Sequence, residues 1–236
     1  QGNLFLTVAL TVHAKAAHMA PSLVMLPAVA VVDAVRTLPG IAEAPRIKWV
    51  NDVVLGGRKV AGVLAASSCL EDEIQTAVLG IGVNVAQAPA LAPTPFVPAA
   101  GCLTDAGAKV SLTEMFWTVL EKLAGRYRGL RERGPSELLQ AYRNASLVTG
   151  RHVRIWPEST ILESSPETWP PPLAAGVVRS IEADLSLRID GHDEAISKGR
   201  LALEEACDHL ALAATCSRMV HETGRSTGLV KGELRG

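Results

Sequence analysis

Between the apolar runs Arg46–Val50 and Lys59–Ser67 stands Leu55-Gly56-Gly57-Arg58, and this Gly-Gly pair restricts the fold more than any other feature of the chain. Two adjacent glycines adopt the positive-φ conformations of a tight hairpin at no steric cost, so the runs on either side are predicted to pair antiparallel. A third strand-like run, Ile74–Val85, extends the pair into a compact β-unit.

Upstream of that unit, Asn3–Val12 is rich in Leu, Phe, Thr and Val with partial alternation, the pattern of a half-buried strand. Pro21–Leu38 carries apolar residues at helical spacing and stops before Pro39-Gly40, with Pro27 expected to start or kink the helix. Downstream, residues 87–111 are rich in proline and alanine and read as a long irregular connection. Ser111-Leu112-Thr113-Glu114 has the form of a capping box opening a helix to about Arg133, and a second helix spans Ser136–Ala145. On the long helix, Trp117, Tyr127 and Leu130 are expected in the core.

After Gly150 the pattern changes to short alternating runs, His152–Trp156, Ala174–Ile181, Leu185–Ile189 and Ala195–Leu203, separated by Pro, Gly and Asp. These predict a small β-barrel, with Glu158–Pro172 as an exposed loop. Residues 204–236 begin helical and end in charged, glycine-rich sequence, a helical or flexible tail. The expected class is therefore α+β, a mixed sheet with flanking helices followed by a small barrel.

Composition excludes several function classes. The 23 Lys and Arg nearly balance the 24 Asp and Glu, so no bulk positive field favours nucleic acid. Cys69, Cys102, Cys207 and Cys216 fit neither a zinc site nor a disulfide scaffold and read as reduced thiols of a cytoplasmic protein. The apolar stretch Pro21–Val35 is interrupted by Ser22, Pro27 and Asp33 and is too short for a membrane span. His13 and His18 lack neighbouring carboxylates or thiols and make a poor metal site.

Three segments carry chemistry. Lys48-Trp49-Val50-Asn51-Asp52 ends a strand in an amide and a carboxylate: Asp52 could hold Mg2+ or a ribose, Asn51 could meet phosphate oxygens, or the pair simply initiates a turn. Arg58-Lys59-Val60-Ala61-Gly62-Val63-Leu64 puts a lysine at the start of an apolar strand, either a surface cation or one placed to neutralise the developing charge of an acyl phosphate. Gly80-Ile81-Gly82-Val83-Asn84 lets backbone approach a ligand at two positions, and the lack of a third glycine and a following helix argues against a dinucleotide fingerprint.

In this order the three segments resemble the core signature of biotin–protein ligases, and Gly2-Asn3-Leu4-Phe5-Leu6 is similar to the strand after that family's phosphate loop. Ala100-Gly101-Cys102-Leu103 stands where the family has a Ser/Thr-Leu segment. Thr149–Val153, Ala175–Val178 and Ile196–Arg200 are similar to its C-terminal SH3-like domain. The resemblance implies a catalytic core over residues 1–146, an SH3-like domain over 147–203 and a tail over 204–236. It also implies a two-step reaction: biotin and ATP form biotinyl-5'-adenylate, and a lysine of a biotin carboxyl carrier domain takes the biotinyl group. A homodimer is left open.

By that correspondence Lys59 contacts the biotin carboxylate and the adenylate and is the main catalytic residue. Gly62, Val63, Leu64, Gly80 and Val83 join it in lining the biotin pocket, while Lys48, Asn51, Asp52 and Asn84 face ATP, with Asp52 on Mg2+. Two departures stand out. Val50 replaces the family's proline, a change a strand can absorb. The family's Gly-Arg-Gly-Arg loop and the Ser-Thr-Asn segment before it do not occur ahead of Gly2, so the chain alone is expected to bind biotin weakly and to make little adenylate. A non-catalytic biotin- or carrier-binding relative, or a lipoate or octanoyl transferase of the same superfamily, is the alternative.

Overall fold

The computed structural model describes residues 2–160 and 169–204. Its larger sheet contains β1 (Asn3–Lys15), β2 (Arg46–Lys48), β3 (Asp52–Leu55), β4 (Arg58–Leu70) and β5 (Glu73–Asn84), in spatial order β1-β5-β4-β3-β2. Gly56 and Gly57 hold φ of 56° and 73° and make the expected tight turn, but the antiparallel partner of β4 across it is β3 and not the Arg46–Val50 run, whose strand β2 pairs with the other edge of β3. All ladders between these strands are antiparallel; isolated bridges Ile47–Ser146 and Lys59–Ala100 supply the parallel component of a mixed α+β architecture.

One face of this sheet is buried by α1 (Ala16–Arg36), backed by α2 (Leu112–Arg133) and α3 (Ser136–Ala145). Leu23, Leu26, Val29 and Val31 of α1 meet Val53, Ala61, Val63, Leu79, Ile81 and Val83 in one apolar core. That burial lets α1 run through both Pro21 and Pro27, where the sequence predicted a start or a kink, because packing offsets the hydrogen bonds the prolines cannot donate. By length and composition α1 could also cross a membrane, yet 67% of its most apolar window is buried in this core.

The capping box forms as expected, with Ser111 Oγ accepting from the Glu114 N–H at 3.2 Å and the Glu114 carboxylate accepting from the Ser111 N–H at 2.8 Å. Leu130 is buried, but Trp117 is 60% exposed rather than in the core. It falls on the solvent side of α2, edge-on to Phe116. Two further expectations are corrected. The Lys-Trp-x-Asn-Asp segment is not a strand end: β2 stops at Lys48, Trp49-Val50-Asn51 turn, and Asp52 opens β3, a strand too short to stand out in the sequence. Val50 is thus absorbed by a turn, where the Trp49–Val50 peptide is cis and the buried Tyr142 hydroxyl donates to the Val50 carbonyl at 2.7 Å.

A second antiparallel sheet has the order β8-β7-β6-β9, from β6 (His152–Trp156), β7 (Ala174–Ile181), β8 (Leu187–Ile189) and β9 (Arg200–Leu203). Its strands β8 and β9 are shorter than the runs that predicted them. The Trp49 indole donates to Leu185 O at 2.8 Å, Lys48 Nζ to Leu201 O at 2.8 Å, and Arg143 to Ile181 O at 2.7 Å, which tie it to the first sheet and its helices. Phe96 of the 87–111 connection, which has no helix or strand of its own, stacks on Trp169 and meets Trp156 edge-on beneath Arg200. Cys69 and Cys102 are free thiols; Cys207, Cys216, most of the tail and half of the 158–172 loop lie outside the described residues.

Candidate active site

The other face of the first sheet is open, and the register decides what lines it. Phe5 pairs with Gly82, Gly82 with Gly62, and Gly62 with Asp52, forming one row across four strands. The next row is Thr7, Gly80 and Leu64. Side chains alternate between faces along each strand, so Phe5 and Leu64 rise from this face, 83% and 67% exposed, while the neighbours Ile81, Val63 and Val83 point into the core. Between the raised side chains three glycines leave a bare backbone floor. The result is a trough of about 340 Å³ bordered by Phe5, Asn51, Asp52, Lys59, Leu64 and the glycines 62, 80 and 82.

Glycine is not needed at 80 or 82 for folding. Neither has a positive φ, and a Cβ at either would make only ordinary contacts, at 3.7 Å or more. What their missing side chains provide is access to the floor.

Lys59 reaches the trough through a bulge. In β3–β4 the register runs Asp52–Gly62, Val53–Ala61, then Val54–Lys59, leaving Val60 as the extra residue. Without it, Lys59 and Gly62 would face opposite sides; with it, Val60 and Ala61 are both buried and Lys59 emerges beside Gly62. Its ammonium meets Asp52 Oδ1 at 2.5 Å, the two side chains 31% and 14% exposed. The backbone of Lys59 is also fixed on its outer side. Its N–H donates to Ala99 O at 2.9 Å, and its carbonyl accepts from the Gly101 N–H at 3.0 Å.

The structure brings together Lys59, Gly62, Leu64, Gly80, Asn51 and Asp52, with Val63 contributing to the border although its side chain is buried. It does not bring the other three to the trough. Val83 is 1% exposed in the core, because it sits one residue out of phase with Gly82. Asn84 spends its amide N–H donors on Gly101 O at 2.9 Å and Lys59 O at 3.4 Å, so it pins the connection to β4. Lys48 pairs across the hairpin with Asp52, but the connection and second sheet cover it: 5% exposed, it donates to Phe96 O at 2.7 Å and Leu201 O at 2.8 Å. Burial pulls its pKa down to about 8, opposed by the Asp52 carboxylate and assisted by the Lys59 cation. Asn51 lines the trough while its Nδ2 donates to Val63 O at 2.7 Å, leaving its oxygen for other contacts.

Phe5 and Thr7 went unassigned in the sequence. A signal existed: in β1 the odd positions face solvent, and Phe5 is the one aromatic among them. A large apolar side chain on the polar phase of a strand marks a surface that meets something.

Residues 1–84 match the family model described as the biotin/lipoate A/B protein ligase family. Of these residues, β1, the hairpin and β5 build the whole trough. That part of the chain is similar to the family. The chain is 31% identical over 135 residues to the bifunctional ligase/repressor BirA of Bacillus subtilis, covering 57% of the chain and 41% of that protein. To the biotin–[acetyl-CoA-carboxylase] ligase of Mycobacterium tuberculosis it is 36% identical over 128 residues, 53% of the chain and 44% of that protein. The matches thus span less than half the length of these relatives. The biotin protein ligase of Aquifex aeolicus in complex with biotin and ATP shares the fold, with a TM-score of 0.60 at 20% identity over 86% of this chain and 78% of that one.

Proposed function

We propose that this chain activates biotin with ATP as biotinyl-5'-adenylate and transfers the biotinyl group to a lysine of a biotin carboxyl carrier domain. The observation that carries the reading is the Lys59–Asp52 pair set over a glycine floor. The compact bicyclic head of biotin can lie on the bare backbone between Phe5 and Leu64, and its carboxylate would then reach Lys59. The ammonium offsets charge on the carboxylate and on the mixed anhydride with phosphate that replaces it. Aquifex aeolicus biotin protein ligase, which shares this fold, binds biotin and ATP.

Mg2+ carried by ATP commonly takes one or two protein carboxylates and several phosphate oxygens, so the single carboxylate of Asp52 suits it. There it would draw charge from the phosphates. In this reading Lys59 is catalytic, Asn51 and Asp52 face the nucleotide, and Asn84 and Lys48 hold the surrounding backbone. The division into a core over 1–146, an SH3-like barrel over 147–203 and a tail over 204–236, and a cytoplasmic location, belong to the same proposal.

The test is pyrophosphate release from ATP with biotin, and separately with lipoate or octanoate, by the full-length protein and its Lys59→Ala variant. Biotin-dependent release lost in the variant is expected. Release that prefers lipoate or octanoate, or equal release from variant and parent, overturns the reading.

A further inference from the structure

A second cleft lies on the same face of the first sheet, towards the β2 edge, where the connection and the second sheet close over it. It measures about 390 Å³ and is lined by Arg46, Lys48, Val54, Pro95, Leu147 and Leu203, and also by Arg151 and by one carboxylate, Glu43. Its chemistry is amphiphilic. Val54, the two prolines 95 and 98, Leu147 and Leu203 make apolar walls, and the cations stand at one side.

Those cations are fixed but not neutralised. Lys48 is an ammonium 5% exposed; two of its three N–H donors go to the carbonyls of Phe96 and Leu201. Arg46 uses Nε and Nη2 on Ser146 O, at 3.2 and 2.8 Å, which leaves the rest of its five donors available. Neither has a carboxylate within 4.0 Å among the described residues, and the nearby Asp52 is committed to Lys59. Buried charge is costly unless paired, so a cleft that holds an unpaired ammonium beside apolar walls suits an anion with an apolar stem.

We propose that this cleft is a binding site for a small organic anion, a carboxylate on a short apolar chain, held by Lys48 and Arg46 and separate from the Lys59 trough. The carboxylate completes the donors left open on both cations. The stem lies against Val54, Leu147 and Leu203. Because Val54 belongs to β3, Leu147 to the link between α3 and β6, and Leu203 to β9, occupancy bridges the two sheets.

Hexanoate is a suitable probe, titrated calorimetrically into the full-length protein at pH 8. Saturable binding is expected, weakened about tenfold in Arg46→Gln, the loss of one charge-assisted contact. Saturating biotin, placed in the Lys59 trough by the function proposed above, should leave it unchanged. Binding should also take up protons, because an anion beside the Lys48 amine favours its charged form, so the heat should vary with the ionisation enthalpy of the buffer. Thermal melts establish that Arg46→Gln is folded. Unsaturable binding, equal affinity in Arg46→Gln, or heat independent of buffer overturns the proposal. So does displacement by biotin, which would place hexanoate in the trough, or inorganic phosphate binding as tightly as hexanoate, which would leave the apolar walls without a part.

Discussion

Glycines serve opposite purposes in the two sheets. In the second sheet Gly176 has φ 155° and its Cβ would come within 2.5 Å of the Asp190 carbonyl oxygen. At Gly199, with φ 142°, a Cβ would fall 2.5 Å from Ile155 Cγ2. No side chain fits there, whatever the protein does. In the first sheet Gly80 and Gly82 have room for a side chain and no unusual backbone, and the space they leave opens on solvent. One set is dictated by the fold and the other by what lies on it. Conservation of glycine alone would not tell them apart; contact distances do.

The largest expected effect sharpens the comparison from the trough side. Lys59→Ala should slow biotin-dependent pyrophosphate release by two to three powers of ten, roughly the loss of one preorganised donor, while the melting temperature stays close to the parent's because the side chain leaves no core cavity. A melt lowered by more than about 5 °C would make Lys59 structural.

Next comes Gly176→Ala, which should destabilise by about 2 to 4 kcal/mol through backbone strain and overlap with Asp190. Urea titration reads it. A neutral result would break the comparison outright, since it would show the second sheet tolerating what its geometry forbids.

Lys48 offers a test through pH. Its pKa near 8 in the folded state lies below the value near 10.5 it has unfolded, so between these the unfolded chain binds more protons and stability rises with pH. The penalty of burying the charge is fully present below pH 8 and relieved by about pH 10.5, on the order of 3 kcal/mol over the window. Urea midpoints from pH 7 to 10 should show this rise in the parent and lack it in Lys48→Met; parallel curves would contradict it.

The smallest effect is the most discriminating. Gly82→Val should leave stability within about 0.5 kcal/mol, since its Cβ meets the Phe5 ring at an ordinary 3.7 Å, yet weaken biotin about tenfold by filling the floor. Gly62 is a less clean probe. A Cβ there sits 3.3 Å from Lys59 Cε and would disturb the ion pair as well as the floor. Unchanged biotin affinity in Gly82→Val, by calorimetry, would move the ligand elsewhere.

Much of this was legible in the sequence because it is local. The Gly56-Gly57 turn, the Ser111–Glu114 cap and the alternation in β4 and β5 each follow from neighbours along the chain. What escaped depends on distant partners. The bulge at Val60 is a matter of register against β3, and it alone puts Lys59 on the face of Gly62. Lys48 reads as a site cation until the second sheet, some 150 residues later, is seen to supply the Leu201 carbonyl that covers it. Val83 was misplaced by one step of alternation, the smallest error a strand allows and enough to move a side chain from pocket to core.

The tie between Lys48 and Leu201 bears on how such a chain can be recombined. A change of architecture near residue 146 invites reading the second sheet as an accessory that could be trimmed or exchanged for another module. Cutting there would strand the Lys48 ammonium and the Trp49 indole without the Leu201 and Leu185 carbonyls, directly behind Asp52. Any substitute would have to present two backbone carbonyls at the same places, so the two halves are bound to be inherited, and engineered, as a unit.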